Sequence, residues 1–172
     1  TEQSQQLLSG IAELGILSVP PIHQNNFDVL FRRKEKIVCV TAENSMFLKG
    51  ITVPTLPELA ECPLCLSTGC HLMMSKIFAE KSIRPQILSI CTTRTTALRW
   101  AEDDCGVSIV PMEPKEKLPE GLIAKAITGV DTDLYKTVVR VKGRPLSVVA
   151  KKFLQFYSDV RDSERMIKIK DL

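Results

Sequence analysis

Residues 63–111 constrain the fold of this chain more than any other part of it. Three short apolar runs occupy 63–66, 87–91 and 107–110, and two amphipathic stretches, 71–80 and 95–104, lie between them. Alternation of this kind is typical of parallel strands joined by crossover helices. The segment therefore predicts an α/β fold.

Small hydroxyl residues stand before both predicted helices. Ser67, Thr68 and Gly69 precede the first helix, and Thr92 and Thr93 precede the second. Such helix starts lie at the carboxyl ends of strands, where open α/β sheets bind ligands. Their free backbone N–H groups and helix dipole favour an anionic or carbonyl group of a ligand. Ser and Thr are also common N-caps without any ligand, so the pattern leaves both interpretations open.

Length and charge exclude several classes of protein. With 172 residues the chain is long enough for one ordinary domain or two small lobes. The net charge of +3, from 23 basic and 20 acidic residues, is too small to argue for direct nucleic-acid binding. No apolar run approaches the roughly 18 residues that a membrane span needs, and the polar start does not look like a signal peptide.

Six cysteines, at positions 39, 62, 65, 70, 91 and 105, are many for this length. Several fall inside apolar strand patterns, where a free cysteine behaves as a small buried hydrophobic residue. Their spacing lacks the framework of a small secreted domain, which favours a reducing cytoplasm. Cys62 and Cys65 are spaced as in zinc sites, but the sequence has no second ligand pair, so we predict neither a metal nor a cofactor.

The flanking segments predict further short elements. Thr55 and Glu58 form a capping-box pattern before a helical turn, and Ser147 precedes a final helix that runs to about Ser158 with an apolar stripe. The other predicted elements are a helix over 1–9 closed by Gly10, a strand over 11–19, extended pieces over 27–33 and 36–41, and strands over 122–128 and 134–141.

In their order and spacing, four passages resemble the effector-binding domain of LysR-type transcriptional regulators. They are Thr1–Gly10 with Glu13–Leu17, Phe31–Val40, Ser67–Pro85 and Thr96–Pro111. Each passage alone is a weak signal, whereas the four in this order are fairly specific. The resemblance covers nearly the whole chain, to about Ser158.

The resemblance implies a two-lobed type 2 periplasmic-binding-protein-like fold, in which each lobe is a sheet flanked by helices and two crossing strands link the lobes. Lobe I is expected over 1–36 and 138–172, and lobe II over 37–137. A small-molecule effector is expected in the cleft between the lobes. The effector-binding residues that the resemblance implies are Thr1, Ser67, Thr68, Gly69, Cys70, Thr92 and Thr93.

The resemblance also implies a biological setting. The expected role is regulatory rather than enzymatic, in a cytoplasmic bacterial transcription factor that forms a homodimer or homotetramer. Promoter DNA would be contacted by an N-terminal helix-turn-helix that this chain does not contain. Family domains begin with a strand and a helix before the point where this sequence starts, so we expect a fragment with an incomplete lobe I.

Two residues depart from the family pattern, and a third residue, Cys70, raises the question of a reactive thiol. Gly15 stands where the family usually has an acidic residue, and Asp104 where it usually has Gly, although Asp tolerates the left-handed conformation. Cys70 falls where peroxide-sensing members carry a reactive thiol, and a helix start favours a thiolate. The second cysteine of those members is replaced here by Ala79, so a small cleft-lining residue is the favoured interpretation.

Two other functional classes stay open at this point. One is a solute-binding protein of a transport system with the same fold. The other is an enzyme on the same scaffold, which we do not expect, because the sequence shows no Ser–His–Asp pattern, paired-carboxylate motif or Gly-rich phosphate loop.

Overall fold

A computed structural model describes residues 2–17, 24–114, 116–159 and 167–168. The helices are α1 (Glu2–Ser9), α2 (Leu56–Ala60), α3 (Thr68–Glu80), α4 (Arg94–Glu102) and α5 (Val148–Asp159), with a 3-10 turn over Gln24–Asn26. The strands are β1 (Leu14–Leu17), β2 (Phe27–Ala42), β3 (Pro63–Ser67), β4 (Gln86–Cys91), β5 (Val107–Met112), β6 (Leu122–Ala126), β7 (Asp133–Val141) and β8 (Ile167–Lys168). The predicted alternation of strands and helices over 63–111 is confirmed.

The chain packs as two compact units. Unit 1 comprises Thr1–Lys34 and Tyr135–Leu172, and unit 2 comprises Glu35–Leu134. The strands β2 and β7 each contribute residues to both units.

Unit 1 holds the strand order β1-β7-β2, in which β1 is antiparallel to β7, and β8 pairs antiparallel with β2. Its core contains Leu7 of α1 and Val139 of β7. A Cβ atom at Gly15 would lie 2.7 Å from Cδ1 of Leu7. A larger residue at this departure from the family pattern would therefore force the Leu7 side chain to shift.

The end of α1 is held by a side chain from the distant part of unit 1. Arg144 donates from Nη1 to the carbonyl of Leu7 at 2.9 Å and from Nη2 to the carbonyl of Leu8 at 3.0 Å. Gly10 follows with φ +81°, as expected for a residue that closes a helix.

Unit 2 holds the strand order β2-β5-β3-β4, with β6 also paired to β2. β3 runs parallel to β4 and β5, and β2 runs antiparallel to β5. Ile109 and Val110, adjacent in β5, belong to two different apolar cores, the first with α3 and the second with α4. Since successive side chains of a strand point to opposite faces, α3 and α4 cover opposite faces of this sheet.

Local signals in the sequence are confirmed at two helix starts. Thr55 and Glu58 form a reciprocal capping box at α2, with the backbone N–H of Thr55 donating to Glu58 Oε2 at 2.7 Å. Ser147 accepts the N–H of Ala150 at 3.1 Å at the start of α5.

One prediction about the fold is wrong. The two extended pieces around Arg33–Lys36 form the single strand β2, because the alternation of buried and exposed side chains continues through the polar residues. Helix α5 has its predicted apolar stripe, but Val149 and Phe156 of this stripe are 78% and 68% exposed. Among the described side chains of α5, Ala150 is the buried one. Within the described residues, no helix is long and apolar enough to cross a membrane.

Candidate functional site

The parallel strands of unit 2 bring several predicted site residues to one edge of the sheet. Ser67 at the end of β3 is in register with Cys91 at the end of β4, and Leu66 is in register with Ile109 of β5. Carboxyl ends of parallel strands lie at the same edge, and α3 and α4 both start there. We call this the strand-end edge; it carries Ser67, Thr68, Gly69, Thr92 and Thr93.

A hydrogen bond joins the two strand ends at this edge. Thr68 is the first residue of α3 rather than a residue before it, and its side chain is exposed. Its Oγ1 donates to the backbone carbonyl of Cys91 at 2.9 Å. The start of α3 is thereby fixed against the segment that leads into α4.

Ser67 occupies the N-cap position of α3 but does not cap it through its side chain. Its backbone is extended, with φ −71° and ψ 146°, and its residue is 4% exposed. In the described chain, its buried Oγ has no hydrogen-bond partner beyond a weak interaction with the sulfur of Cys70. Gly69 lies beside open space, because a Cβ atom there would meet no atom within 4 Å.

At the second helix start, Thr93 acts as an ordinary cap. It accepts the backbone N–H of Thr96 at 3.1 Å, and the two hydroxyl oxygens lie 2.8 Å apart. Thr92 next to it is exposed. The Thr93 cap satisfies the backbone N–H of Thr96 without a ligand. The hydroxyl groups of Thr92 and Thr93 are exposed and therefore accessible to a ligand.

Cys70 lies in the core rather than at an open surface. Its side chain is fully buried in the cluster that contains Met74 and Phe78. Burial raises the pKa of this thiol to about 12, against smaller lowering effects of Ser67 and Arg94, while Glu35 raises it further. For this thiol, desolvation outweighs the helix dipole, which alone would favour a thiolate. Contact of Cys70 with an effector stays a prediction, as does the role of Thr1, which lies outside the described residues.

Two charged residues at the strand-end edge were missed in the sequence. Arg94 is the first residue of α4, and its Nη1 forms an ion pair with Oε1 of Glu116 in the loop after β5. Arg94 was recognisable, since it directly follows Thr92 and Thr93 at a strand end. Glu116 was not, because its place depends on where a charged, Pro-rich loop folds back.

The other cysteines are structural thiols. All six are free, and Cys105 is the exposed one. Burial raises the pKa of Cys39 to about 12 and that of Cys65 to about 11. Among the described residues, no three His, Cys, Asp or Glu side chains are grouped to hold a metal ion.

Comparison with known families decides the assignment of this fold. Residues 1–162 match the LysR substrate binding domain. The chain belongs to this family. As a LysR substrate-binding domain it has the expected mixed α/β, type 2 periplasmic-binding-protein-like fold, and it is an effector-binding domain of the LysR type. The alternative of a solute-binding protein of a transport system is less supported. None of the curated proteins matches the sequence.

Solved structures of LysR-type proteins share the fold of this substrate-binding domain. The effector-binding domain of QuiR in complex with shikimate superposes with a TM-score of 0.73 and 21% identity, over 93% of this chain and 77% of that one. The CcmR regulatory domain of Synechocystis PCC6803 in complex with 2-PG gives 0.76 and 14%, over 93% and 78%. Full-length CbnR complexed with target DNA gives 0.71 and 20%, over 94% of this chain but 56% of that one.

Proposed function

We propose that this domain binds a small-molecule effector at the strand-end edge of unit 2, through Ser67, Thr68, Gly69, Thr92 and Thr93. The observation that carries the proposal is the convergence of two helix starts at one sheet edge beside the buried Ser67 hydroxyl, which has only a weak partner. Helix starts of this kind attract anionic and carbonyl oxygen atoms. Shikimate and 2-PG in related domains support an effector of similar size.

The effector would act by shifting a conformational equilibrium. A ligand changes the population of two arrangements only as far as it binds one of them more tightly. In this proposal the two lobes are 1–36 with 138–172 and 37–137, linked by β2 and β7, and Thr1 and Cys70 complete the set of effector contacts. The domain itself carries out no catalysis.

The wider setting belongs to the same proposal. The domain would act in a homodimer or homotetramer of a bacterial transcription regulator, with promoter DNA contacted by an N-terminal helix-turn-helix. CbnR in complex with its target DNA supports such an arrangement. The buried free thiols fit a reducing cytoplasm.

A thermal-shift screen tests the binding site. The probes are small carboxylates, with shikimate among them, applied to the 172-residue chain. A probe that raises the Tm of the wild type should lose its effect in Thr68→Val, which removes a hydroxyl at the edge. Thr52→Val, at an exposed position between β2 and α2, serves as the matched control and should keep the shift. Equal shifts in both variants would place the effector elsewhere.

A further inference from the structure

An ion pair lies at the strand-end edge, where α3 and α4 begin. Nη1 of Arg94, the first residue of α4, contacts Oε1 of Glu116. Glu116 belongs to the loop that leaves the end of β5, and β5 is parallel to β3. The loop therefore emerges at the same edge as Thr68, which explains how a carboxylate distant in sequence reaches the guanidinium.

The Glu116 carboxylate is held in position by its own turn. Its Oε2 accepts the backbone N–H of Glu113 at 3.0 Å, and the N–H of Glu116 donates to the carbonyl of Glu113 at 3.2 Å. The side chains of Arg94 and Glu116 are 29% and 27% exposed. A pair that is partly removed from water interacts more strongly than an exposed pair, but it remains open to exchange with a dissolved anion.

The guanidinium keeps a donor that no described residue accepts. Nε of Arg94 is buried and has no hydrogen-bond partner within the described chain, and the Ser67 hydroxyl has only its weak interaction with the Cys70 sulfur. Ser67 is the N-cap of α3 and Arg94 is the first residue of α4, and both helices begin at the strand-end edge. Buried donors without acceptors are costly and uncommon, and an acceptor supplied by a ligand would satisfy both.

The chemistry of these donors selects the ligand group. A guanidinium presents its N–H groups in a planar fork that matches a carboxylate or a phosphate. The start of α4 adds the positive end of a helix dipole at the same place.

We propose that Arg94 anchors the anionic group of the effector and that Glu116 occupies this anchor until the effector displaces it. The inference rests on the proposed function and adds two things to it. The effector is an anion, and its affinity is set by competition with a carboxylate of the protein itself. A neutral molecule of the same shape would leave the Arg94–Glu116 pair closed.

The test measures binding of anions to the full 172-residue chain by calorimetry and by NMR of the Arg94 Nε–H group. The probes are succinate, benzoate, shikimate and inorganic phosphate, and the neutral amide of each carboxylate serves as its control. Glu116→Gln removes the competing charge and should tighten binding of the anion by about threefold to tenfold. Arg94→Gln should weaken it by on the order of tenfold or more. The amides should bind no more tightly to Glu116→Gln than to the wild type.

A second ion pair on the same helix provides the matched control. Arg99 and Glu102 contact each other at 2.6 Å on an exposed face of α4. Arg99→Gln and Glu102→Gln change the net charge in the same way and should leave anion binding unchanged. If Arg94→Gln fails to fold, the affinity of Glu116→Gln still decides the question.

The outcomes separate the inference from the proposed function. If Thr68→Val weakens binding while Arg94→Gln and Glu116→Gln bind as the wild type does, the inference is overturned and the site at the strand-end edge stands. Equal tightening by Glu116→Gln and Glu102→Gln would be an effect of net charge and would also overturn the inference. If no probe binds even to Glu116→Gln, the anion anchor is overturned, whereas a neutral probe that depends on Thr68 would still support the site.

Discussion

The Oγ1 atom of Thr68 donates to the backbone carbonyl of Cys91 at 2.9 Å. Thr68 begins α3 and Cys91 ends β4, so one side-chain hydrogen bond joins the two strand ends that carry the candidate site. Thr68 therefore stabilises the structure at the start of α3, in addition to the role in effector binding that we propose for it.

Replacing Thr68 with Val should therefore lower stability as well as affinity. The substitution keeps the shape of the side chain and leaves the Cys91 carbonyl without this donor, which should cost about 0.5–1.5 kcal/mol of unfolding free energy. Urea denaturation measures the change, and Thr95→Val corrects for the propensity of Val at the start of a helix. A loss no larger in Thr68→Val than in Thr95→Val would mean that the hydrogen bond contributes nothing.

Gly69→Ala should raise the stability of the fold while it weakens binding of the effector. A Cβ atom at Gly69 meets nothing within 4 Å, and a glycine in a helix is less stable than alanine. We expect the variant to gain about 0.5–1 kcal/mol of stability and to bind the effector more weakly, because the methyl group enters the open space beside the helix start. Denaturation and calorimetry on the same sample check both signs. Unchanged affinity with raised stability would show that the effector does not approach Gly69.

Thiol accessibility should distinguish Cys105 from the other five cysteines. Cys105 is exposed, whereas burial raises the pKa of Cys70 and Cys39 to about 12. Iodoacetamide at pH 8 should label the folded chain once, since thiolates are the reactive form. Intact-mass spectrometry counts the labels, and Cys105→Ser should abolish labelling of the folded protein. Rapid labelling of Cys70 in the Cys105→Ser variant would restore the reactive-thiol interpretation.

Local chemistry in the sequence was enough to predict the framework of unit 2. Strands β3, β4 and β5, the helices between them and the capping box of Thr55 and Glu58 all follow from residues that are close in sequence. Long-range packing was not predictable in the same way. The buried environment of Cys70 and the pairing of Arg94 with Glu116 depend on contacts between distant segments, and no local pattern encodes them.

The capping box of α2 should make stability depend on pH through Glu58. Its bonds to the backbone N–H of Thr55, and then to the Thr55 hydroxyl, lower the pKa of this carboxyl in the folded chain. The stabilising contribution is therefore fully present above the pKa of the unfolded state and is lost as the pH falls through the lower folded pKa. Denaturation from pH 7 to pH 3 should show a shallower loss for Glu58→Gln than for the wild type.

Glu61, at the end of the same helix, is the control for this pH effect. Its side chain makes no hydrogen bond to a described residue, so Glu61→Gln removes a carboxylate of the same helix without removing a cap contact. If Glu58→Gln and Glu61→Gln give the same slope, the capping box is not the source of the pH dependence.

Replacement by glycine should change the free energy of unfolding in opposite directions at Asp104 and at its neighbour Asp103. Asp104 has φ +50° just after the end of α4, and the N–H of Cys105 donates back to the carbonyl of Trp100 at 2.9 Å, as in a helix that closes through a left-handed residue. Asp adopts this conformation at some cost, and Gly adopts it without strain. Asp104→Gly should therefore be neutral or more stable by up to about 1 kcal/mol. Asp103 has φ −82°, so Asp103→Gly should lose about 0.5–1 kcal/mol through added freedom of the unfolded chain. Guanidinium denaturation of the two variants measures the difference, and equal losses in both would contradict the left-handed assignment of Asp104.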